Sequence, residues 1–162
     1  MGALPEWGRA FLEERRHGVV STIDPDGSPH SIPIWYLFRD GRLFVATSSR
    51  SRKYKNAAAR PTATVLVDHR QPGVERWVSA TGPVAIVRGD EARAIVKAIH
   101  ARYLTAAAIQ DARVGGGLAS GDDVVLAIEP ATWRSWTAQD LDRQYFGGLL
   151  TATPEKWFRG LD

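Results

Sequence analysis

The feature that most constrains this chain is a series of short runs rich in β-branched and aromatic residues, each closed by a turn signal and few separated by helices. Gly18–Ile23 reads as a strand. Asp24-Pro25-Asp26-Gly27 follows as a turn, because proline presets φ and glycine tolerates positive φ. Residues 30–38 are again strand-like, and Asp40-Gly41 separates them from 43–48, the strongest short hairpin signal a sequence carries. Residues 62–68, Arg76–Val87 with a bend expected at Gly82-Pro83, and 124–129 complete six strands; the last is expected to stay extended through 133–137. With no regular strand–helix–strand alternation, a closed or half-closed antiparallel barrel follows more naturally than a doubly wound sheet.

Helices belong at the edges. Pro5 suits a first helical position and Leu4, Trp7 and Phe11 recur at helical spacing, which predicts a helix over 5–16. A short helix over Arg52–Ala59 ends before Pro61. Residues 90–104 give the clearest pattern: Ala92, Ile95, Val96, Ile99 and Tyr103 share one face, and Asp90 and Glu91 suit the N-terminus. Gly115-Gly116-Gly117 reads as a flexible loop. The expected organisation is one domain over 1–162, with barrel and flanking helices over about 5–138 and a tail, 139–162, that the pattern does not assign.

Composition excludes several chemistries. The absence of cysteine removes disulfides, thiolate metal ligands and thiol nucleophiles. His17, His30, His69 and His100 include no pair at a metal-ligand spacing, so no metal is expected. No G-x-S-x-G element occurs, and the glycine triplet does not follow a strand as a dinucleotide loop requires. No apolar run approaches the ~18 residues of a membrane span. Residues 4–16 carry Glu6, Arg9, Glu13, Glu14, Arg15 and Arg16 where a signal peptide needs an apolar stretch, so a cytoplasmic protein without membrane contact is expected. A net charge of +3 does not by itself indicate nucleic acid.

One segment breaks a local rule. Ser48-Ser49-Arg50-Ser51-Arg52-Lys53-Tyr54-Lys55-Asn56 opens a helix whose N-terminus carries partial positive charge, yet four cations crowd that end. An anion reverses the balance, because backbone N–H groups, serine hydroxyls and cationic side chains together make a phosphate site. A solvated basic helix with Ser51 as an ordinary N-cap is the alternative; nucleic acid is a third reading, which wants a wider basic surface with interleaved aromatics. Pro33 beside Ile34, Trp35 and Tyr36 implies an interrupted ladder, whose free backbone groups suit a flat heterocycle, or an edge strand packed by aromatics. Trp77 is either core or pocket wall.

The block from Gly18 to Val87 resembles the pyridoxamine-phosphate-oxidase-like split-barrel superfamily. The carrying motif is Phe44-Val45-Ala46-Thr47, then Ser51-Arg52-Lys53, Asn56 and the strand 63–68. The resemblance implies a mostly β fold with flanking α, a six-stranded antiparallel split β-barrel. It implies a flavin-type cofactor whose phosphate sits at the strand–helix junction. Thr47, Ser48, Ser51, Arg52, Lys53, Lys55 and Asn56 are the implied cofactor-binding residues there, with Pro33, Ile34 and Trp35 along the ring. Trp77 falls where a residue reaching the other subunit's cofactor is expected, so a homodimer with a shared site is implied. The Arg-x-His element that holds the pyridoxal substrate in vitamin-B6 oxidases has no counterpart in Ile128-Glu129-Pro130-Ala131-Thr132-Trp133-Arg134-Ser135-Trp136. The chain looks closer to the flavin/deazaflavin reductase branch, using FMN or the deazaflavin coenzyme F-420, whose acidic tail Arg50 and Lys55 are placed to meet. The implied activity is hydride transfer between that cofactor and a small conjugated organic substrate. The cofactor carries the chemistry, so no catalytic acid or base is named. The alternatives are a non-catalytic FMN-binding protein and a cofactor-free anion- or nucleic-acid-binding barrel.

Overall fold

The computed structural model describes residues 2–119 and 121–160; the ends of the expected 1–162 domain and Ser120 lie outside the described residues. Eight strands are present: β1 (Gly18–Ile23), β2 (Pro29–Ile34), β3 (Leu37–Arg39), β4 (Arg42–Thr47), β5 (Thr62–His69), β6 (Arg76–Val87), β7 (Val124–Ile128) and β8 (Thr132–Thr137). They pair antiparallel in the order β2-β1-β5-β6-β7-β4-β3, with β8 also on β6. β2 and β3 are opposite ends of this order, yet only Trp35 and Tyr36 separate them in the chain. Two residues reach roughly 7 Å, so the sheet must curl until its edges nearly meet. The result is the half-barrel that the strand pattern implies.

Two of the six expected strands are each broken in two. The run 30–38 leaves β1 after Ile34 and joins β4 from Leu37. At the break the Tyr36 N–H donates to the Tyr103 hydroxyl at 3.3 Å, and that hydroxyl donates to the Arg16 carbonyl at 2.5 Å. A side chain thus replaces the lost ladder partner. The last strand breaks at Glu129, opposite the bend foreseen in β6. β8 lies along Arg76–Thr81 and β7 along Val84–Val87. A Cβ at Gly82 would stand 1.8 Å from the Glu129 carbonyl oxygen, so this crossing requires glycine.

The barrel interior is filled by Val20, Tyr36, Leu43, Val45, Val65 and Val67, all at most 1% exposed. Outside it, α3 (Gly89–Tyr103) lays Ala92, Ile95, Val96 and Ile99 on Phe44, Val125 and Ala127. β7 is therefore covered on both faces and buried at all five positions. The first helix, α1, is shorter than expected and spans Gly8–Glu13. α2 (Arg52–Ala59) packs on β1 and β6, burying Asn56 and Ala57.

The glycine triplet is helical, not a loop: it lies in α5 (Ala112–Ala119), behind α4 (Ala106–Gln110). Gly115 is needed there, since its Cβ would sit 2.1 Å from the Ile109 carbonyl oxygen. The tail left unassigned by the sequence holds α6 (Ala138–Phe146), α7 (Leu149–Ala152) and α8 (Pro154–Trp157). Its reversal is organised by Asp142, 1% exposed, which accepts from the Leu150 and Thr151 N–H groups at 3.1 and 2.6 Å. Among the described residues no helix is long and apolar enough to cross a membrane.

Candidate functional site

β4 ends at Thr47 and α2 begins at Arg52, so four residues carry the chain from strand to helix. Ser51 caps α2: its Oγ accepts from the Tyr54 N–H at 3.2 Å and lies 2.6 Å from Thr47 Oγ1. The hydroxyls expected at an anion site are thus in contact at a helix N-terminus, whose first N–H groups have no partner within the helix. No acidic residue stands in the first turn of α2.

The cations divide into two groups. Arg52 turns back to the end of β1 and holds Asp24 through Nε to Oδ1 at 2.7 Å and Nη2 to Oδ2 at 2.5 Å. Asn56 donates to Thr22 Oγ1 at 3.1 Å and to Asp24 Oδ1 at 2.8 Å. Asp24 is only 3% exposed. Arg52, and after it Asn56, hold its carboxyl below the usual carboxylate range. Both residues expected at the cofactor thus have a carboxylate partner within the chain. Asn56 is buried against the carboxylate, whereas Arg52 holds it from a largely exposed position, and together they anchor α2 to the end of β1.

Lys53 is the second group. It shares the inward side of α2 with Asn56 and Ala57 and is half-buried, and among the described residues its side chain has no hydrogen-bond or ion-pair partner. Burial alone pushes its ammonium pKa down. Lys55 is exposed and likewise unpaired. A cavity of about 450 Å³ opens at Ser48, Ser49 and Arg50, bounded on the far side by Asp122. Asp122 accepts the Ser49 N–H at 3.0 Å. That contact first, and then Arg88 and Arg50, keep its carboxyl ionised below its ordinary range. Arg88 in turn bonds the Tyr54 hydroxyl and lies 5.2 Å from its ring centroid.

The interrupted edge makes a second feature. His17, Pro33, Ile34 and Trp35 line an open groove of about 480 Å³. Pro33 itself stays in register opposite Val19; the ladder fails two residues later. Trp35 stacks on Tyr103 at 5.0 Å and 2°, and meets His100 edge-on at 6.5 Å. Trp35 and Ala46 pack on the same α3 cluster. Ala46 precedes Thr47, so groove and hydroxyl pair lie at one end of β4. Trp77 does not join them. Val87, not Trp77, is the β6 residue tied through β7 to Thr47, by Val87–Val125 and Thr47–Val124. Trp77 lies roughly 30 Å along the strand, at about 3.3 Å per residue, paired with Asp68 and Trp136.

Sequence reasoning missed Asp24, Tyr103, Arg88 and Asp122. Asp24 carried a signal only as a turn residue, and its partners lie 28 and 32 positions away. Tyr103 was read as one more residue of an apolar helix face.

Comparison with solved structures places this arrangement among known folds. A conserved hypothetical protein of Mycobacterium tuberculosis superposes with a TM-score of 0.71 at 26% identity, over 86% of this chain and 88% of that one. An F420 reductase superposes with a TM-score of 0.64 at 25% identity, over 80% and 98%. The heme storage protein HutZ of Vibrio cholerae shares the fold alone, with a TM-score of 0.62 at 15% identity over 84% and 95%. No curated protein matches the sequence. The family described as pyridoxamine 5'-phosphate oxidase matches residues 4–137, from before α1 to the end of β8. That match spans the half-barrel, the strand–helix junction and the interrupted edge, and on it this chain belongs to the pyridoxamine 5'-phosphate oxidase family of flavin-type split barrels.

Proposed function

We propose that the chain is an oxidoreductase that binds a flavin-type cofactor, FMN or coenzyme F-420, with its phosphate at the start of α2. One observation carries the reading: Lys53 is half-buried and has no partner among the described residues, in the first turn of a helix whose Ser51 cap touches the Thr47 hydroxyl. A cation in that position is poorly solvated until an anion arrives. Thr47, Ser48, Ser51 and the first N–H groups of α2 supply donors, and Lys53 supplies charge. Arg52 and Asn56 position the helix through Asp24. Arg50 and Lys55 remain for further acidic groups, which favours the deazaflavin coenzyme.

The ring lies along Pro33, Ile34 and Trp35. The bound cofactor supplies hydride transfer to or from a small conjugated substrate; the protein binds, orients and shields it. Two copies of the chain build each site, the partner contributing Trp77, and the protein acts in the cytoplasm. The missing Arg-x-His element argues against pyridoxamine phosphate as substrate.

The test is binding, then turnover. FMN and coenzyme F-420 are titrated separately into apo-protein under tryptophan fluorescence, and the bound cofactor is then tested for reduction and reoxidation by conjugated acceptors. Saturable binding of one cofactor is expected. If neither binds, the proposal fails; if one binds without turnover, the protein is a carrier.

A further inference from the structure

A second cavity, of about 290 Å³, lies between the outer side of α3 and the α4–α5 pair. This is close to the lower end of the roughly 300–1,000 Å³ range of small-ligand sites. Its walls are mainly apolar: Val96 and Ala101 from α3, Ile109 from α4 and Leu118 from α5. The charged groups on it are Arg93 and Lys97, one turn apart on α3, and Asp123 just before β7. Arg93 also pairs with Asp90 on the outer surface, whereas the Lys97 side chain has no partner among the described residues. His100, half-buried, lies on the wall nearest the barrel, with its ring edge-on to Trp35.

The cavity opens to solvent: Arg93, Lys97 and Ala101 on its rim are exposed, so a ligand enters without displacing a helix.

We infer that this cavity binds a small amphipathic monocarboxylate, its apolar body against Val96, Ala101, Ile109 and Leu118 and its carboxylate at Lys97, with Arg93 one turn away. Lys97, which has no carboxylate partner among the described residues, selects an acid over a neutral molecule of the same shape. Asp123 opposes that preference and limits it. The inference does not depend on the cofactor reading, because binding is measured on the apo-protein.

Octanoate and octanol are titrated calorimetrically into the apo-protein, with tryptophan emission recorded in parallel. Octanoate is expected to bind saturably and more tightly than octanol, and to change the emission of Trp35 through His100. Trp35→Phe should keep the heat of binding and lose the emission change. Ala101→Trp, at an exposed position on α3, should fill the cavity and weaken both ligands by about tenfold or more. Lys97→Glu should remove the preference for the acid, and Asp123→Asn should increase it. Thermal melts of each variant separate lost binding from lost folding. The inference is overturned by the absence of saturable octanoate binding into the millimolar range, by full affinity in folded Ala101→Trp, or by an emission change that persists in Trp35→Phe.

Discussion

At the scale of single residues, Lys53 and Asp24 both have lowered pKa values and both make stability rise with pH, in different ranges and for opposite reasons. Burial lowers the Lys53 pKa, so the fold disfavours its charged form. That penalty is present below the folded pKa and fades as pH rises towards the unfolded value. Lys53→Ala should leave apo stability unchanged or raise it by a few tenths of a kcal/mol, since a cation also leaves the unfavourable end of a helix. Cofactor affinity should fall about tenfold or more, because a charge-assisted hydrogen bond is worth roughly 1.5–3 kcal/mol. Paired dissociation constants and melting temperatures check both statements; unchanged affinity removes the phosphate assignment. Asp24 has a lowered pKa, so its contribution is present above the unfolded carboxyl range and is lost as pH falls through the folded value. Asn56→Ala leaves Thr22 and Asp24 short of a buried donor and should cost roughly 1–3 kcal/mol, read by denaturant unfolding at neutral pH. Its acid-unfolding midpoint should move to higher pH, because Asp24 loses one of the bonds that favour its ionised form. The Ser51 cap and the crowd of cations were legible in sequence because capping and helix charge are local. The Asp24 cluster was not, because it joins two segments whose proximity only the sheet register creates.

At the scale of elements, the two broken strands are where the barrel turns its corners. The first break falls beside Pro33, where buried and less buried positions alternate from His30 through Phe38, and the second lies opposite Gly82-Pro83, where β-rich residues stand on both sides of Glu129-Pro130-Ala131, so each pair of strands reads as one. What separates them is tertiary: Tyr103 caps the first break and the Glu129 carbonyl crowds the second. Gly82→Ala would place a methyl carbon 1.8 Å from that carbonyl oxygen. Backbone must shift to relieve it, and the variant should lose about 2 kcal/mol or more, seen as a lower midpoint in urea with an unchanged slope. A Gly41→Ala control meets no neighbouring atom, and its cost reflects only the positive φ of 77°. The glycine triplet misled in the other direction. Its composition reads as a loop, but it is helical and packs on α4, Gly115 against the Ile109 carbonyl, so tertiary packing overrides propensity.

At the scale of the whole molecule, the curl of the sheet follows from the strand pattern, and the expected place of Trp77 at a partner's cofactor rests on the family resemblance alone. Trp77 lies at the opposite end of β6 from the Val87 that is tied to Thr47, so a site that uses both Trp77 and Lys53 is tested as one drawn from two copies. Six of the nine exposed large apolar side chains among the described residues, from Leu141 to Phe158, lie on the tail, which leaves apolar area for association. Sedimentation at micromolar concentration should give about twice the 17.8 kDa chain mass. A sharper test uses complementation. Lys53→Ala and Trp77→Ala should each weaken cofactor binding when assayed alone, because every dimer then carries the defect in both sites. Unfolded together and refolded as a mixture, part of the population pairs a chain with intact Lys53 and a chain with intact Trp77. One site of each such mixed dimer is whole, so a fraction of high-affinity sites should reappear, growing with the extent of subunit exchange. If the site lies within one chain, both chains stay defective in the mixture and no tight binding returns.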